Sequence, residues 1–200
     1  HKTYTGDMEM IDENAVREHI RGLILAIGED PEREGLKETP QRVARMYEEI
    51  FKGIGYSNHD IAKMYDKTFE DDPDIITDSK QVVLIRDIGF FSYCEHHMAL
   101  MYDLHADVAY IPNGRVIGIS KIARICDMVG KRLQLQERIG RDIADIMEEI
   151  TGSSDVGVSI EGCHSCMTSR GINKINAKTC TLELRGSFKS DPVLQKYLIR

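Results

Sequence analysis

The chain has 200 residues, with 26 Lys and Arg against 33 Asp and Glu, a formal net charge of −7. That length suits one domain, or a core domain with a smaller appendage, and it buries a full core without disulfide staples. The acidic balance argues against nucleic acid as a partner, because such binding needs a basic face. An anionic small ligand stays compatible, since a local basic pocket can sit in an acidic protein. Apolar runs are short: the stretch Leu23 to Ile27 spans five residues, far below a membrane span, so no membrane partner is expected. His1 to Gly6 is polar and lacks the apolar centre of a signal peptide. Five cysteines, an odd number, fit a reducing cytoplasm better than a disulfide framework.

Val16, Ile20, Leu23, Ile24 and Ile27 follow the helical period, with Gly28 as the stop. A polar connector leads to Thr39-Pro40, read as an N-cap followed by proline at the first helical position. Val43, Met46, Tyr47 and Ile50 line one face of that second helix, which Gly53 and Gly55 end. Residues 57 to 80 read as polar and irregular, and Glu70-Asp71-Asp72 as a solvated loop. Gln81 to Ile88 is rich in strand formers, and Leu104, Ala106, Val108 and Tyr110 alternate with polar residues. Pro112-Asn113-Gly114 marks a turn, after which Arg115 to Ile119 returns as a paired strand. Ser120 is placed to cap a helix carrying Ile122, Ile125, Val129 and Leu133. The next helix carries Leu135, Ile139, Ile143, Ile146, Met147 and Ile150, and Thr151 to Ser154 breaks it. Val156 to Glu161 and Lys178 to Phe188 form a last strand pair. Two hairpins flanking a helix pair predict an α+β fold with an antiparallel sheet. Two regions are expected: an N-terminal helical region over 1–80 and a catalytic domain over 81–200.

The chemistry concentrates in Cys94-Glu95-His96-His97 and Cys163-His164-Ser165-Cys166. Strand alternation would put His164 and Cys166 on one side. Two metal sites compete. Cys94, His97, Cys163 and Cys166 make a closed structural zinc pattern, and spacing alone leans toward it. Alternatively Cys94, His97 and Cys166 bind zinc, one position stays open to water, and His96 and His164 serve as acid/base groups. Further along, Ser120 and Lys121 open a helix after a strand, with Arg124 one turn on. That grouping suits a phosphate, and its plainer reading is an N-cap with solvated basic residues. Arg170 adds to such a pocket. Glu137 can accept two hydrogen bonds from a guanine-type edge, or simply be a helix-surface carboxylate.

Several long motifs, in order, resemble the GTP cyclohydrolase I family. They are Gly35-Leu36-Lys37-Glu38-Thr39-Pro40-Gln41-Arg42-Val43-Ala44, then Cys94-Glu95-His96-His97, then Val108-Ala109-Tyr110-Ile111-Pro112. Gly118-Ile119-Ser120-Lys121-Ile122, Leu135-Gln136-Glu137-Arg138 and His164-Ser165-Cys166-Met167-Thr168-Ser169-Arg170-Gly171 complete the set. The resemblance implies the T-fold (tunnelling fold), with subunit sheets joined into a barrel in a homodecamer of two pentamers. It implies hydrolysis and rearrangement of GTP to 7,8-dihydroneopterin triphosphate and formate, the first step of pterin and folate synthesis. It also reverses the lean given by spacing: Cys94, His97 and Cys166 match the ligands of one Zn2+ per subunit. His96, His164 and Ser120 match catalytic positions. Lys121, Arg124, Arg170, Arg42 and Arg45 match positions around the triphosphate, and Glu137 with Gln136 the guanine anchor. Cys163 stands where the family does not usually require a cysteine, and Met98 to Tyr102 departs from the usual residues. The alternative function is a zinc-stapled GTP-binding scaffold without turnover.

Overall fold

A computed structural model describes residues 11–70 and 81–199. The expectation for His1 to Gly6, and that for Asp71 and Asp72, lie outside the described residues. Chain contacts divide at Gly55/Tyr56 into two compact units.

The first unit holds α1 (Glu13–Ala26), α2 (Thr39–Ile50) and a 3-10 turn (Lys52–Gly55). Asp12 caps α1 by accepting from the Ala15 N–H, and Gly28 leaves the helix at φ +88°. Ile24 is the buried member of the predicted stripe, while Leu23 and Ile27 stay exposed. Thr39 is not the cap. Glu38 precedes the helix without a side-chain bond, and Thr39 is already helical, with Pro40 buried behind it.

In the second unit come α3 (Asn58–Tyr65), β1 (Thr68–Glu70), β2 (Val83–Cys94), β3 (Ala99–Tyr110) and β4 (Arg115–Ile117). These are followed by α4 (Ile119–Gly130), β5 (Leu133–Gln134), α5 (Gln136–Thr151) and β6 (Val156–His164). The chain ends with α6 (Ser165–Thr168), β7 (Thr179–Leu184), α7 (Ser187–Ser190) and α8 (Pro192–Gln195). The main sheet runs β5-β2-β3-β6-β7, antiparallel except for the parallel β2–β5 pair. The expected α+β class, with an antiparallel sheet and a helix pair, is therefore present.

Several local expectations are corrected. The first hairpin is β2–β3, not the strands on either side of Pro112-Asn113-Gly114, because β3 is already paired on both sides by β2 and β6. β4 pairs instead with β1, Phe69 opposite Val116. Residues 57 to 80 are not uniformly irregular. Ser57 and Asp60 form a reciprocal capping box that starts α3, and Ile61 and Ala62 are buried in the core. Because α3 packs on α4 and α5, it belongs with the sheet unit, and a division at residue 80 does not match these contacts. Gly118, not Ser120, precedes α4, which leaves Ser120 in the first turn.

Met101, Leu104, Ala106, Val108 and Tyr110 of β3 face the helices and are fully buried with Ile122, Ile125, Ile139, Ile143 and Ile146. A smaller cluster of Ala109, Phe188, Leu194 and Leu198 forms the other core. Arg132 fastens the helix layer. It donates to Asp142 at 3.0 Å, Asn58 Oδ1 at 2.8 Å and the Tyr56 carbonyl at 2.8 Å. Gln134 adds a 3.0 Å bond to the same Asp142 carboxylate. This network aligns β5 and the start of α5, on which the site depends.

At the end of α4 the helix closes against β2. A Cβ on Gly130 would lie 2.6 Å from the Phe91 carbonyl oxygen and 2.8 Å from the Phe90 ring. Backbone cannot move aside as a flexible side chain does, so Gly130→Ala is expected to destabilise the protein by about 1–3 kcal/mol. Denaturant unfolding of the variant beside the parent measures this, and an unchanged midpoint would refute the close approach.

Candidate functional site

β2 ends at Cys94, which pairs with Ala99 of β3 and Gln134 of β5. Residues 95–98 then form a four-residue turn back into β3. Met98 closes that turn at φ +50°, a left-handed conformation that costs a non-glycine residue of order 1 kcal/mol. The tightness of the turn brings His97 back toward Cys94, with Nδ1 3.8 Å from Sγ. His96 is exposed beside it, its ring centre 6.4 Å from that of His97.

From the other side, β6 delivers His164 as its last residue, and α6 carries Cys166. Strand alternation therefore does not position Cys166; a single helical turn does. That turn is held on β3 by two hydroxyl bonds. Ser165 Oγ donates to the Leu100 carbonyl at 2.7 Å, and Tyr102 donates to Thr168 Oγ1 at 3.1 Å.

The result is a convergence of one ligand atom each from Cys94, His97 and Cys166, all within 4.8 Å of one another. Among the described residues this is the group that could hold a metal, and Cys163 is not in it. Cys163 is buried one residue before His164 on β6, opposite Tyr102. Two thiols and an imidazole this close suit a borderline-soft divalent metal. Burial pushes the Cys166 thiol up, and the adjacent Cys94 thiol pushes it further. Two sulfurs this close become thiolates together only with a cation between them.

Gln136 opens α5 and is 1% exposed. Its Nε2 donates to the Ile160 and Thr179 carbonyls at 3.0 and 2.9 Å. Those two bonds assign the amide orientation, so Oε1 faces His164 Nε2 at 2.8 Å and accepts from it. His164 is thereby held with its proton on Nε2 and Nδ1 as the remaining position. Burial pulls its pKa below the usual histidine range, opposed by the Glu137 carboxylate. The side chain of Gln136 thus faces inward to the histidine. Glu137 faces outward and lines a groove with Gly140, Thr181, Leu182 and Glu183.

Ser120, Lys121 and Arg124 follow one another along the first turns of α4, with Ser120 and Arg124 exposed and Lys121 half-buried. Arg170 is exposed after α6, and its charge reaches Cys166. Arg42 and Arg45 lie on α2 in the first unit, Arg42 paired with Glu38 at 2.6 Å. Sequence reasoning assigned no role to Glu95, Arg138 or the α6 hydroxyls. Glu95 and Arg138 stood in the quoted motifs, but 43 residues separate them and only the fold pairs them.

Comparison with known proteins agrees with this geometry. The pattern of the family described as GTP cyclohydrolase I matches residues 16–200. GTP cyclohydrolase 1 of Ruminiclostridium cellulolyticum is 62% identical over 189 residues, covering 94% of this chain and 97% of the relative. GTP cyclohydrolase 1 of Clostridium botulinum (strain Loch Maree / Type A3) is 58% identical over 189 residues, covering 94% and 96%. A solved structure of the archaeosine synthase QueF-Like in the apo form covers 55% of this chain and 97% of its own, at 19% identity and a TM-score of 0.44. With a family pattern over nearly the whole length and relatives at this identity, the chain belongs to the GTP cyclohydrolase I family.

Proposed function

We propose that this chain converts GTP and one net water to 7,8-dihydroneopterin triphosphate and formate. The observation that carries the reading is the convergence of Cys94, His97 and Cys166, with His164 two residues from one ligand and oriented by Gln136. The metal proposed is zinc, one per subunit, which Cys94, His97 and Cys166 would hold. Bound there, zinc would polarise water and supply a nucleophile near neutral pH.

The remaining work falls to side chains. Glu137 accepts the N–H and amino hydrogens of the guanine edge and so presents C8 of the base to the centre. His164, with Nε2–H engaged by Gln136, takes up at Nδ1 the proton that water releases as it adds to C8 and delivers it to the imidazole ring nitrogen as that ring opens. His96 moves protons during ribose opening and ring reclosure, and Ser120 hydrogen-bonds the ribose. Lys121, Arg124 and Arg170, joined by Arg42 and Arg45, neutralise the triphosphate, a local task in an acidic protein. The functional unit is a homodecamer of two pentamers in the cytoplasm, in which joined sheets form the barrel of the T-fold. No helix among the described residues is long and apolar enough to cross a membrane.

Purified protein given GTP is expected to release formate and to yield a fluorescent pterin after oxidation. GTP binding without formate would favour a scaffold and reject turnover. His96→Ala and His164→Ala are expected to keep zinc and lose turnover by about 100-fold or more. Cys94→Ala, His97→Ala and Cys166→Ala are expected to lose zinc and turnover together. Cys163→Ala is expected to keep its zinc, measured by elemental analysis of the same samples, and loss of zinc there would reject the three-ligand site.

A further inference from the structure

The Glu95 carboxylate and the Arg138 guanidinium meet through two parallel bonds, Oε2 to Nη1 at 2.6 Å and Oε1 to Nη2 at 3.1 Å. Glu95 lies inside the turn, between Cys94 and His96. Arg138 lies in the first turn of α5, next to Glu137. The backbone follows the same line: the Glu95 N–H donates to the Gln134 carbonyl at 3.0 Å, and the Arg138 N–H to Leu135. Each side chain is about one-third exposed, 33% and 34%. A pair so placed adds little to global stability, so its contribution is geometric. A bidentate fork defines a separation and also a plane, which a single contact does not.

The turn needs such a fixture. It is four residues long and carries a strained Met98, and its exposed His96 and His97 are not anchored by burial. Cys94 is held by strand pairing, and Cys166 by the hydroxyl bonds of α6. Only the turn between them has freedom to move His97 relative to Cys94. We propose that Glu95 and Arg138 are positioning residues: their fork locks the turn that carries His97 onto the helix end that carries Gln136 and Glu137. The histidine ligand, the base-recognising carboxylate and His164 then keep a fixed mutual distance. This rests on the assignment of Cys94, His97 and Cys166 as the metal donors.

The test is a double-mutant cycle on the full-length protein, with Glu95→Gln, Arg138→Gln, the pair together, and Arg138→Lys. Zinc dissociation is measured by competition with a chelator, without GTP. Each single substitution is expected to weaken zinc about 10-fold, in the range found for residues that orient metal ligands. The double variant is expected to be no weaker than either single, because the fork breaks once. Arg138→Lys keeps the charge but not the fork, and is expected to behave like Arg138→Gln. Amide hydrogen exchange of 95–98 is expected to rise in all four, while that of β3 is unchanged. With GTP, kcat is expected to fall more than KM rises. Additive losses in the double variant, parental affinity in Arg138→Lys, or unchanged zinc binding throughout would each overturn the proposal. Because the zinc readout needs no turnover, a parent protein that releases no formate would reject the catalytic reading and leave this test standing.

Discussion

Five residues, Gln134 to Arg138, fasten the candidate centre together where a two-residue strand passes into a helix. Gln134 pairs with Cys94 and accepts from the Glu95 N–H. Gln136 receives the Nε2 proton of His164 and ties β6 to β7 through two carbonyls. Arg138 grips Glu95, and Glu137 points into the groove. The Arg132–Asp142 network fixes this junction from behind, with side chains 14% and 11% exposed. A buried ion pair adds little net stability but is costly to break, so it resists rearrangement of what it holds.

The division of labour between buried and exposed groups follows from this. Most groups that set geometry are buried or half-buried, Gln136, Cys94 and the hydroxyl partners of α6 among them, while the Glu95–Arg138 fork is one-third exposed. Groups that would meet a charged substrate are outside, namely Ser120, Arg124, Arg170 and Glu137. Burial also acts on a cysteine away from the site. Cys126 is fully buried in α4, its thiol pushed up to about 12, which leaves it an inert packing residue.

Local signals in the sequence were legible where the physics was local. The periods of α1 and α5, the left-handed Gly152 after α5 and the alternation through Leu104 to Tyr110 all correspond to observed elements. The candidate ligand residues stood out too, because thiols and imidazoles in tight spacing are rare and chemically distinctive. Other features needed the third dimension. A turn at Pro112 to Gly114 promised a hairpin, but β3 had no free edge to offer. The Ser57–Asp60 capping box was present in a segment whose polarity concealed it. Whether Cys163 joins Cys94, His97 and Cys166 depends on where β6 gives way to α6 after His164; spacing alone leaned toward the four-residue set, whereas the described residues bring three together. The resemblance grouped Gln136 with Glu137 at the guanine anchor, and nothing in the sequence told that its amide is enclosed by two carbonyls and a histidine.

X-ray absorption at the zinc edge of the loaded, active protein is the most direct measurement of the centre. Two sulfurs near about 2.3 Å, with the remaining positions filled by nitrogen or oxygen near about 2.0 Å, are the expected first coordination shell. A third sulfur in that shell would contradict the three-ligand assignment and close the position on which the proposed hydrolysis depends.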